Sequence, residues 1–130
     1  MLAIDLDIQG NPNTIVATLT RIDRAAEPGG AAANAVLDLA LDLLLPPLHA
    51  VMPIDTGASV AAQTPERGTD YARIYTDPGV TNPRTGEAPA SYLPEWYVRS
   101  GRQQTPWEEA VAVGAPAIEE QARQIIEGLL

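Results

Sequence analysis

The sequence predicts an α+β domain, a small antiparallel sheet packed against a long Ala/Leu-rich helix and a C-terminal amphipathic helix. Three observations carry this: a period-two apolar pattern at the start, an Ala/Leu run from Ala31 to Leu45, and a 3.6-residue apolar pattern after Pro116. With 130 residues and no break in composition, the chain reads as one domain over 1–130, with a long loop at about 77–94.

Leu2, Ile4, Leu6 and Ile8 alternate with Ala3, Asp5, Asp7 and Gln9, which gives a first strand with one apolar face. From Thr14 to Ala26 two patterns compete. Ile15, Leu19, Ile22 and Ala26 keep helical spacing, while Thr14, Ile15, Val16, Thr18 and Thr20 are β-branched; a helix capped by Asn13 is the reading adopted. Glu27-Pro28-Gly29-Gly30 breaks the chain. In the next element Asn34, Asp38 and Asp42 recur every fourth residue, one polar stripe along an otherwise apolar helix. Such a helix in so small a domain is expected to be shared between its own core and a neighbouring subunit. Pro46 and Pro47 should kink or end it, and Pro53 should take the chain out of helix before Ile54.

The middle, Ser59 to Arg102, is rich in Gly, Pro and Thr, with β-like pieces at Tyr71–Thr76 and Trp96–Arg99. The polar, proline-broken stretch between them is the long loop, a candidate docking arm. Thr105-Pro106-Trp107-Glu108 has the residues of a capping box with Pro at the first helical position. Gly114 and Pro116 should interrupt that helix. Beyond them Ile118, Ala122, Ile125, Ile126 and Leu129 form an apolar face opposite Glu119, Glu120, Arg123 and Glu127.

Composition excludes several functions. Seventeen acidic residues against 8 basic ones, all arginine, give a formal charge of -9, which disfavours phosphate-rich ligands and hence specific DNA binding. Without cysteine there is no disulfide, thiolate or Cys-ligated metal, and one histidine, His49, cannot build a multi-histidine site, so no metal or cofactor is expected. His49 reads as a partly buried residue at a helix end. Glu108-Glu109 and Glu119-Glu120 read as solvated first-turn acids. The N-terminus lacks the pattern of a signal peptide, and charges and prolines divide the one long apolar region, so no membrane partner is expected.

The stretch Met52-Pro53-Ile54-Asp55-Thr56-Gly57-Ala58-Ser59 is similar to two things. It resembles the Asp-Thr-Gly turn of dimeric, retroviral-type aspartic proteases, in which paired carboxylates share a proton and activate water. Those enzymes place the turn at the end of a strand in an all-β fold, whereas here a helix and two prolines precede it. Pro53-Ile54-Asp55-Thr56-Gly57 also resembles the head-to-tail joining, or tail-completion, family of long-tailed bacteriophages, where a helix runs into this turn and a strand follows. The element order, the Tyr-containing middle and Ala115-Pro116-Ala117-Ile118 extend that resemblance over most of the chain. In this setting the turn needs no catalysis: Pro53 blocks helix, Asp55 accepts a local hydrogen bond and Gly57 takes positive φ.

The resemblance implies a structural virion protein, not an enzyme, assembled in the bacterial cytoplasm into a homo-oligomeric ring in the neck. A connector or stopper protein would bind on the head side and the tail tube or its terminator on the tail side, with DNA passing through unbound. Expected interface residues are Leu37, Leu41 and Leu44 on the long helix, and Trp96, Tyr97, Arg99, Arg102 and Trp107, which combine aromatic and arginine side chains.

Overall fold

A computed structural model describes residues 3–9, 13–21, 29–53 and 56–129. Its elements are β1 (Ala3–Gln9), β2 (Thr14–Arg21), α1 (Ala31–Ala50), α2 (Ala58–Ala62), β3 (Gln63–Arg67), β4 (Tyr71–Thr76), α3 (Pro89–Arg99) and α4 (Pro106–Leu129). The class is the expected α+β: a four-stranded antiparallel sheet in the order β1-β2-β4-β3, with α1 and α4 packed against each other and against the sheet.

Register explains the sheet. Ile8 lies opposite Ile15 and Ile15 opposite Ile74; Leu6 lies opposite Ala17 and Ala17 opposite Ala72. These rows make one apolar face, on which Ile15, Ala17, Ala72 and Ile74 are at most 1% exposed. The opposite face carries Asp5, Asp7, Arg73 and Glu66 at alternating positions. The edge strands are β1, which exposes Asp5 and Asp7, and β3, which contains Pro65.

The expected helix from Thr14 is instead β2. The β-branched residues prevailed because β1 on one side and β4 on the other offer paired edges, and tertiary pairing outweighs a weak helical period. Asn13 caps nothing; its side-chain amide donates to the Tyr97 hydroxyl at 3.2 Å. The remainder of that segment, 22–26, lies outside the described residues, as do Ile54 and Asp55.

α1 runs through Pro46 and Pro47 to Ala50, so neither proline ends it. Ala32, Ala33, Val36, Leu37, Ala40, Leu44 and Leu48 are its buried face. By length and composition α1 is apolar enough to cross a membrane, with a mean hydropathy of 1.4, but 39% of that window is buried in the protein's own core. α4 is likewise continuous across Gly114 and Pro116. Pro116 is exposed, and Gly114 is buried where α4 meets α1: a Cβ there would stand 2.9 Å from Leu44 Cδ2 and 3.1 Å from the Leu43 carbonyl oxygen. Gly114 is thus a close-approach residue rather than a break. Ile118 and Ala122 are buried as expected, and Ile125 packs against the core; the side chains of Ile126 and Leu129 are not among those described.

The capping box forms at the start of α4. Glu108 N donates to Thr105 Oγ1 at 3.2 Å and Thr105 N to Glu108 Oε1 at 3.3 Å. Trp96–Arg99 is not a strand but the last turn of α3, and the loop therefore spans 77–88, with 89–94 helical. Besides α3, two further elements were not anticipated, the single-turn helix α2 and the polar edge strand β3.

Candidate interaction site

The turn after α1 is described at Pro53 and from Thr56 onwards. Gly57 has φ of +83°, the left-handed conformation expected of it, and stands at the N-terminus of α2. Thr56 Oγ1 donates to Asn82 Oδ1 at 3.3 Å, and Asn82 Oδ1 also accepts from Arg84 N at 2.9 Å. The turn and the 77–88 loop are thereby braced together. Further bonds from Gly86 N to Asn82 O and from Asn82 N to Glu87 O, both 2.7 Å, close the tip of that loop on itself.

The expected interface residues separate into two groups. Leu37, Leu44 and Trp107 are at most 1% exposed and sit in the chain's own core, so they present no surface to another chain. The reason is that α4 covers this face of α1, a long-range contact that no local sequence pattern reveals. Leu41, Trp96 and Tyr97 are half-buried, packed against the core, while Arg99 and Arg102 are exposed.

Four of these residues form one corner. The Arg102 guanidinium lies 5.2 Å from the centre of the Trp96 ring and reaches Glu109 at 3.1 Å. Tyr97 meets Trp107 edge to face at 6.2 Å. α3 spans one end of the sheet, because Tyr92 contacts Ser59 of α2 at 3.1 Å while Tyr97 accepts from Asn13 at the start of β2. The exposed end of this span is Val98, 72% accessible, followed by Arg99.

His49 is half-buried in the last turn of α1. The polar stripe of α1 is divided: Arg67 of β3 binds Asn34 and Asp38, whereas Asp42 is exposed. Glu108 and Glu109 are first-turn acids of α4; Glu119 and Glu120 are not, because α4 is one continuous helix, and Glu120 instead pairs with Arg123 at 2.6 Å. Among the described residues no group of three or more His, Cys, Asp or Glu is placed to hold a metal ion.

Fold and site together define a small α+β domain with a four-stranded antiparallel sheet. No family model, curated protein or solved structure matches the chain.

Proposed function

We propose that the chain is a structural virion protein that forms an oligomeric ring at the junction of a phage head and tail. The observation that supports this best is the setting of the Pro53-to-Gly57 segment. A long Ala/Leu helix leads into it, Gly57 takes the left-handed turn conformation, and the chain then reverses into the β3–β4 pair beneath α1. The helix leading into the turn is the part on which the resemblance to tail-completion proteins rests; α2 stands between the turn and β3, and β2 replaces the short helix of the expected element order. An aspartic protease would need the turn at a strand end, whereas the elements flanking it are α1 and α2.

The chain exposes 6947 Å², close to the roughly 6,600 Å² expected of a compact monomer of its mass, as suits a subunit that folds before it assembles. Assembly is then conditional on a partner surface that fixes geometry. The acidic surface suits a DNA channel, since carboxylates do not retain phosphates by counterion release.

The test is deletion of the gene in the phage or prophage that encodes it, with particles viewed by electron microscopy. Unjoined tails and DNA-filled heads, rescued by the purified protein, are expected; normally joined particles would overturn the reading. Asp55→Asn should still rescue, and a peptidase activity lost in that variant would replace the ring with the protease.

A further inference from the structure

One flank of α1 stays uncovered in the folded chain. Leu41, Leu45 and Pro46, with Pro65 of the edge strand β3, line an open groove of about 350 Å³. Its polar members are Asp42, exposed and without an ion pair among the described residues, and His49, whose Nε2 is buried with no hydrogen-bond partner. An apolar slot rimmed by one free carboxylate fits an apolar side chain adjoining a cation.

The chain itself carries that combination. Val98 is the most exposed of its large described apolar side chains, and among the described residues Arg99 beside it is bound only to Glu95 one turn back, at 2.5 Å and in solvent. Such an exposed pair is readily exchanged for another carboxylate. Arg67, Arg73 and Arg102 are by contrast committed to partners on other elements or beyond their own helix turn. Val113, 66% exposed, has only Ala112 and Gly114 beside it and no cation.

We propose that a second copy of this chain occupies the groove, with Val98 seated among Leu41, Leu45 and Pro65 and Arg99 paired to Asp42. The two surfaces are different parts of the molecule: the groove lies between α1 and β3, whereas Val98 follows Tyr97 of α3, which accepts from Asn13 beside the inner strand β2 and packs edge to face on Trp107 of α4. A contact between different surfaces of identical chains is head-to-tail and repeats until rotation closes it. The contact rests on the ring reading for that closure, and it also explains how a chain of charge -9 associates, since it places one of its few cations against a carboxylate.

The chain has no cysteine, so paired cysteines report the contact directly. Val98→Cys combined with Leu45→Cys, oxidised in concentrated protein and in assembled particles, should yield a ladder of oligomers, with dimers at most from either single variant. By sedimentation, Asp42→Arg and Arg99→Asp should each weaken self-association by more than about tenfold, and the double exchange should recover most of the loss. Absence of a ladder in both settings overturns the proposal. So do single charge variants that associate like wild type, or a double exchange no better than either. The ring reading is judged separately: particles that join without this chain would remove that reading while a ladder upheld the contact, and a chain resident in the neck without a ladder would do the reverse.

Discussion

Arg67 on β3 holds Asn34 on α1 by both its main chain and its side chain, Nη1 donating to the Asn34 carbonyl at 3.2 Å and Nη2 to Oδ1 at 2.9 Å. The same guanidinium reaches the Asp38 carboxylate. Two of the three polar residues along α1 are thus a seam to the sheet edge.

Arg67→Met, which keeps the apolar stem, should cost about 1 to 3 kcal/mol in urea denaturation through the lost charge-assisted bonds to Asn34. Asp38→Asn should cost less than about 1 kcal/mol, because the Asp38 side chain is 65% exposed and its ion pair is screened. Equal losses would move the seam from the amide to the ion pair.

Gly114→Ala pits two effects against each other. Alanine gains about 1 kcal/mol of helix propensity over glycine, but its Cβ would press on Leu44 Cδ2 and on the Leu43 carbonyl, and overpacking costs about 1 to 3 kcal/mol. The expected result is a lower melting temperature, with Gly114→Leu far worse. A stabilised alanine variant would mean that α1 and α4 separate without penalty.

Thr105→Ala should lose about 1 kcal/mol, the usual worth of an N-cap hydroxyl. Because Glu108 bonds back to Thr105 N, a double-mutant cycle with Glu108→Ala should show coupling. Simple additivity would mean that the two bonds form independently.

The Arg73 hydrogen bond, 2.8 Å long, holds the Glu66 carboxyl below its ordinary 4.5; partial desolvation opposes this, and the Tyr71 hydroxyl and the Arg73 charge reinforce it. A carboxyl whose folded value is depressed stabilises fully above its unfolded value and loses that contribution as pH falls through the folded one. A carboxyl-carbon NMR titration should therefore give Glu66 a midpoint below 4.5, moving upward in Arg73→Met. An unmoved midpoint would remove Arg73 as the cause.

Gly57→Val should destabilise by about 1 to 3 kcal/mol through backbone strain, since among the described residues beyond its chain neighbours nothing lies within 4 Å of a Cβ there. Gly57→Asn should cost clearly less, because Asn tolerates the left-handed region. Equal costs would point to a clash instead.

Strong local signals were legible in the sequence: alternation in β1, the Ala/Leu run of α1, and the Thr105–Glu108 box. β2 was misread because Ile15 and Leu19 satisfy both periods at once, and only the register with Ile8 and Ile74 decides between them. The helix over Pro89–Arg99 had a signal in Pro89 at its first turn and buried Leu93 four residues on, obscured by Pro94. β3, Gln-Thr-Pro-Glu-Arg, has no apolar alternation at all; it is a strand because β4 offers an edge. Of the candidate contact residues, exposure of Arg99 and Arg102 followed from their chemistry. Burial of Leu37, Leu44 and Trp107 depends on which helix covers which, a long-range fact that no local pattern contains.

The edges of the sheet bear on how safely many copies can be crowded together. A free strand edge is a template for fibrils, and a protein at high concentration meets that hazard at its worst. At one margin β1 would bring the Asp5 and Asp7 carboxylates of neighbouring copies together; at the other, Pro65 has no N–H to give a further strand. Aggregation by strand addition is blocked on both sides, and association is left to side chains.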